Sequence, residues 1–161
     1  MANAGRSRVK QVILLLVGVL VVAFIVLQFF RIDTRPIPIV QAETIQSRIS
    51  VPPDIDMVLT RSCGDCHSNQ TVYPWYSQVQ PVAWWLSNHI AEGRGELNFS
   101  TFNTYNARRK KKKLEEICEQ VKSGEMPLPS YTWIHRNAIL TDSEKDAICK
   151  WTETASAEVK E

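Results

Sequence analysis

The 161-residue sequence predicts an all-α protein, a small helical domain behind one N-terminal transmembrane helix. Three observations predict it. The stretch VILLLVGVLVVAFIVLQFF, residues 12–30, holds no charge and one strongly polar residue, Gln28. Beyond residue 53, apolar side chains recur at helical spacing while strand-like alternation is scarce. Prolines, glycines and a capping box mark boundaries between those stretches.

The apolar run rises about 28 Å as a helix, enough to cross a hydrocarbon core. Arg6, Arg8 and Lys10 precede it without an acid. The positive-inside rule therefore leaves residues 1–11 in the cytoplasm and exports the remainder. The run exceeds the roughly 7–15 residues of a signal-peptide core. A small-residue pattern, Val40-Gln41-Ala42, lies far downstream beyond two prolines. An uncleaved signal anchor is expected. Of 19 basic and 17 acidic residues, four basic and no acidic ones fall within residues 1–31. The exported part is thus slightly acidic, which argues against a general nucleic-acid binder.

Residues 31–53 read as a tether, because Pro36, Pro38, Pro52 and Pro53 favour extended chain. The alternative is that its Ile and Val residues lie across the domain. Residues 54–157 form that domain and 158–161 a tail. About 100 residues is small for a purely hydrophobic core, and a cofactor adds buried apolar area.

Four helices are expected. Asp54 or Asp56 can cap the first, which carries Met57, Val58 and Leu59 into Cys63. Pro81 suits the first turn of the second, with Val82, Trp85, Leu86, His89 and Ile90 on one face and Gly93 as its stop. The third covers 101–123, with Leu114, Ile117, Cys118 and Val121 inward and Gly124 as terminator. The last opens on a capping box, Thr141 with Glu144, and carries Ala147, Ile148 and Trp151.

The chemistry centres on Cys63-Gly64-Asp65-Cys66-His67. The spacing C-x-x-C-H reads as a c-type haem attachment site. Two intervening residues let both sulfurs reach the two vinyl groups of one porphyrin, and the histidine falls beneath the iron as proximal ligand. Zinc would need a second ligand pair at short spacing, which Cys118 and Cys149 do not offer. A redox dithiol fits the oxidising compartment but lacks the expected βαβ context.

A second axial ligand suits a protein that only moves electrons. Met126 leads, since GEMPLP sets it between a helix-ending glycine and two prolines, and a thioether raises the potential. His89 and His135 are the alternatives, either as ligands or as contacts to a haem propionate. Adjacent Trp84 and Trp85 cannot face one side of a helix, so one can cover the haem while the other meets a loop. The run RRKKKK, residues 108–113, reads first as a solvated helix face. Docking an acidic partner, meeting anionic headgroups or lying near propionates are its functional readings. Export permits a disulfide between Cys118 and Cys149, the other reading being buried thiols.

Over residues 60–151 the chain resembles the haem-binding domain family, small single-haem, cytochrome c-like proteins of bacterial envelopes. The resemblance rests on CGDCHSNQT, YPWYSQVQPVAWWLSNHIAEGR, ELNFS, SGEMPLPSY and LTDSEKDAICKW. It implies one covalent haem c on Cys63 and Cys66 with His67 on the iron. Its similarity to class I cytochromes c implies a downstream methionine ligand, here Met126, and a terminal-helix aromatic, here Trp151. Cys118 and Cys149 have no place in that pattern. The expectation is a non-enzymatic electron carrier held in a bacterial inner membrane with its haem domain in the periplasm. It would meet redox partner proteins of the envelope and no small-molecule substrate. A haem sensor or peroxidase-like enzyme with an open sixth iron position is the alternative, and a thiol oxidoreductase a third.

Overall fold

A computed structural model describes residues 2–160, and they include seven α-helices and no strand. The helices are α1 (Ala2–Leu27), α2 (Pro53–Ser62), α3 (Gly64–His67), α4 (Val82–Glu96), α5 (Ala107–Ser123), α6 (Pro129–Ile134) and α7 (Asp142–Glu158). The chain divides into two units. One joins the residues up to Thr34 with Tyr73–Asn88, and the other joins Arg35–Val72 with the chain from His89 onward. The boundary falls inside α4.

In the first unit, α1 is predominantly apolar from Arg8 to Leu27, with Arg8 and Lys10 its only charges there, is long enough to span a membrane, and has none of that span buried. It stops at Leu27, short of the expected residue 30, and Gln28–Phe30 turn away by hydrogen bonds to the carbonyls of residues 25–27. Within α4, Ala83, Leu86 and Ile90 are buried whereas Val82 and Trp85 are exposed. The inward stripe is thus rotated from the predicted one. Trp84 meets a loop, donating its indole N–H to the Phe30 carbonyl at 3.2 Å.

The second unit holds the main core. Ile55, Val58 and Leu59 of α2 join Leu114, Ile117 and Val121 of α5 and Ile148 and Trp151 of α7. Each such aliphatic side chain contributes roughly 1.5–3 kcal/mol on burial. Trp151 also donates to the Ser50 carbonyl at 3.0 Å, so its polar edge is satisfied inside. The predicted tether is only partly a tether. Gln41–Glu43 and Ile45–Ser47 form 3₁₀ turns, and Ile45 and Ile49 are 1% and 4% exposed within the core. A domain this small gains too much from two isoleucines to leave them in solvent. Val159, assigned to the tail, is buried in the same cluster.

Local signals set most helix ends. Pro53 occupies the first turn of α2, with Asp54 and Asp56 in that turn rather than at the cap. α5 begins at Ala107, later than 101, because the Asn106 side chain accepts the Arg109 N–H and a separate 3₁₀ turn covers Phe102–Thr104. Gly124 closes α5 at φ 78°, the left-handed position that favours glycine. The Thr141–Glu144 capping box opens α7. Cys118 and Cys149 are joined in a disulfide that ties α5 to α7.

Gly93 does not stop α4, which runs on to Glu96. The basic run is not uniformly solvated either. The Lys113 side chain is 12% exposed, with its ammonium 3.0 Å from Glu96 and 2.6 Å from Glu116. Arg109 lies over the Tyr105 ring, 4.0 Å from its centroid.

Candidate haem site

Cys63 closes α2 by donating its N–H to the Leu59 carbonyl and then starts α3. The N–H groups of Cys66 and His67 return to the Cys63 carbonyl at 3.2 and 2.9 Å. One helical turn therefore presents both thiols and the imidazole. Cys63 and Cys66 are free cysteines. Burial, then the neighbouring Cys66, pushes the Cys63 thiol up to about 12. Burial, then Asp65, raises Cys66 to about 11. Both are neutral at physiological pH, unlike the low-pKa thiolate of a disulfide-exchanging dithiol.

His67 Nδ1 lies 3.0 Å from both the Gly93 and the Leu97 carbonyl oxygens. Carbonyls only accept, so Nδ1 carries the proton and donates to them, leaving the lone pair on Nε2. Burial holds the imidazole below its ordinary value, against the opposing pull of those two carbonyls. A neutral ring with its tautomer fixed by backbone acceptors is the form in which histidine binds a metal.

Gly93 makes this possible. A Cβ there would sit 2.8 Å from the Cys66 carbonyl oxygen and 3.3 Å from its Cβ. Only glycine lets α4 approach the Cys-His turn closely enough to place its last carbonyls on the imidazole. The Phe99 N–H closes the arrangement on the His67 carbonyl at 2.8 Å.

Beside this turn is a cavity of about 390 Å³, lined by Cys63, His67, Leu97, Ile117, Val121 and Met126 among others. A second, of about 280 Å³, shares Cys63, His67 and Met126 with it and adds Cys66, His89 and Tyr131. Met126 is set there by the end of α5: Gly124 reverses the chain and the Met126 N–H returns to the Gln120 carbonyl at 3.1 Å. The five residues Cys63, Cys66, His67, Met126 and His89 thus come together. His135 is absent from both linings and stacks on Tyr131 at 4.2 Å. With Cys118 and Cys149 bonded to each other, no second cysteine pair completes a zinc shell, and no group of three His, Cys, Asp or Glu capable of holding a metal ion occurs among the described residues.

Three residues at the site had no separate sequence signal. Lys113 lines the larger cavity, yet looks like one more lysine in a basic run. Asp65 and Tyr131 are joined by a hydrogen bond across distant parts of the chain. Two neutral thiols, a fixed imidazole and a thioether around a largely apolar cavity fit a porphyrin with two vinyl attachment points. The model of a haem-binding domain family matches residues 22–154. No curated protein and no solved structure matches the chain.

Proposed function

Because the chain belongs to the haem-binding domain family, we propose that it is a membrane-anchored c-type cytochrome with one covalent haem, carrying electrons by outer-sphere transfer. Bound haem supplies an iron that alternates between ferric and ferrous states. The chain does the rest. Cys63 and Cys66 would hold the group covalently, as two thioethers to its vinyl carbons. His67 would hold the iron through Nε2, its ring kept in place by the Gly93 and Leu97 carbonyls. Met126 would offer its sulfur to the iron as a further ligand. Leu97, Ile117 and Val121 would pack apolar surface against the group.

The observation that carries this reading is the fixed His67 tautomer beside both thiols and Met126. Supporting the location, bare α1 needs an apolar surround, Arg8 and Lys10 lie toward its N-terminal end, and the Cys118–Cys149 disulfide suits an oxidising compartment. The haem domain would then face the periplasm from the bacterial inner membrane. Its partners would be redox proteins of the envelope, with no substrate chemically changed.

The test is haem staining of a denaturing gel after co-expression with a haem-attachment system, followed by spectroscopy. Covalent haem, a low-spin reduced spectrum and a Met–iron charge-transfer band in the oxidised form are expected, and Met126→Ala should abolish the band. A low-spin spectrum that lacks the band and turns high-spin in His89→Ala would reassign the ligand. A high-spin spectrum that shifts readily with carbon monoxide or peroxide would replace the carrier with a sensor or peroxidase-like protein. Absence of covalent haem would leave the thiol chemistry.

A further inference from the structure

The segment Tyr73–Asn88 shares one compact unit with the N-terminal helix, and five hydrogen bonds join it to the end of that helix. Gln28 makes a reciprocal pair with the backbone of Gln80: Gln80 N–H donates to Gln28 Oε1 at 2.9 Å, and Gln28 Nε2 donates to the Gln80 carbonyl at 3.3 Å. The Phe30 carbonyl accepts from Gln80 Nε2 at 2.7 Å and from Trp84 Nε1 at 3.2 Å. Arg31 donates to Gln78 Oε1 at 2.8 Å.

These bonds fix a depth. The 20-residue span Arg8–Leu27 rises about 30 Å, the thickness of a bilayer's hydrocarbon core, with the long side chains of Arg8 and Lys10 reaching back to the inner headgroups. Residues 28–31 then lie at the outer boundary of that core, and any group hydrogen-bonded to them lies at the same level. Gln78, Gln80 and Trp84 carry such groups. Around them the unit exposes Phe29, Phe30, Trp75, Val82, Trp84 and Trp85, with Phe29 81% and Trp75 79% accessible. Large aromatics left open on a small folded segment are costly in water, whereas Trp is favoured where an apolar ring meets hydrated headgroups.

We propose that residues 73–88 form a second membrane-contact element, an aromatic platform whose Trp75, Trp84 and Trp85 rings sit in the headgroup region of the bilayer that α1 spans. The proposal rests on the anchor reading of α1. It replaces the expectation that one of Trp84 and Trp85 covers the haem with a role for both at a lipid surface. It also gives Gln28 a role: a polar residue at the end of an apolar helix spends its amide on aligning the platform.

The test uses the full-length haem-loaded chain in vesicles of phosphatidylethanolamine and phosphatidylglycerol. A spin label is placed by Leu20→Cys or by Val82→Cys, and its collisions with oxygen and with a water-soluble nickel chelate are measured. At position 20 the label should be shielded from nickel and open to oxygen. At position 82 it should be several-fold less accessible to nickel than the free label in the same suspension. Replacing Trp75 and Trp85 by Ser in the Val82→Cys chain should restore much of the nickel access. A shielded label at 20 with a fully accessible one at 82 overturns the platform and leaves the anchor standing. Unchanged shielding at 82 after the double tryptophan replacement also overturns it. Nickel access at 20 would remove the anchor itself, and the platform with it.

Discussion

Tyr131 donates its hydroxyl proton to the Asp65 carboxylate at 2.7 Å, joining α6 to the turn that carries both free thiols and His67. The other Asp65 oxygen accepts the Val72 N–H at 2.9 Å, so the carboxylate is held from two sides. α6 begins three residues after Met126. The bond therefore links the chain that follows the methionine loop to the Cys-His turn.

Tyr131→Phe removes that link and leaves a carboxylate oxygen without its donor. A hydrogen bond to a charged group contributes roughly 1.5–3 kcal/mol, so the variant should melt several degrees lower. If Met126 binds the iron, its charge-transfer band should also vanish at a lower temperature than in the unsubstituted protein. Thermal melts followed at that band and by far-ultraviolet circular dichroism separate the two effects.

Gly93 and Gly95 make a matched pair, two glycines in one helix with opposite surroundings. Gly93→Ala drives a methyl against the Cys66 carbonyl and should cost roughly 1–3 kcal/mol by overpacking. Because α4 must then withdraw, the two carbonyls leave His67 and covalent haem yield should fall. Gly95 has nothing within 4 Å of an added Cβ. Gly95→Ala should stabilise by about 0.5–1 kcal/mol through helix propensity alone. Denaturant melts and haem-stained gels of both variants check the contrast.

The Cys118–Cys149 disulfide closes a loop across a sequence separation of 31. The double variant Cys118→Ser, Cys149→Ser should lose roughly 2–5 kcal/mol of stability. Neither sulfur lines the two cavities at His67, so below its melting point the variant should keep its haem spectrum. A urea titration followed at the haem absorption tests both statements.

Acid stability should reflect Glu144. The Thr141 N–H, supported by the Arg61 guanidinium at 2.8 Å, holds its carboxyl below the ordinary value of 4.5. The folded protein thus binds this proton less readily than the unfolded chain. The contribution is present above pH 4.5 and is lost as pH falls below it. Glu144→Gln should melt closer to the original protein at acid pH than at neutral pH, and Thr141→Ala should cost roughly 0.5–2 kcal/mol at neutral pH through the lost cap. Melting temperatures across an acid pH series check this.

Short-range patterns alone determined a good deal: the helical class, the apolar span, the cap of α7, the stop at Gly124 and the Cys-Cys-His turn. Each depends on neighbours within a turn or two, or on residue type, which a linear sequence displays directly. Tertiary structure decided the rest. Gly93 reads locally as a helix terminator; only the approach of Cys66 makes it a point of contact instead. Ile45 and Ile49 look like tether residues until the core closes over them, and Lys113 looks like any lysine in its run until Glu96 and Glu116 meet it. The lone Gln28 in an apolar stretch finds its partner at Gln80, more than fifty positions away. These assignments depend on which backbones and side chains come within a few ångströms after packing, and no local spacing encodes that distance.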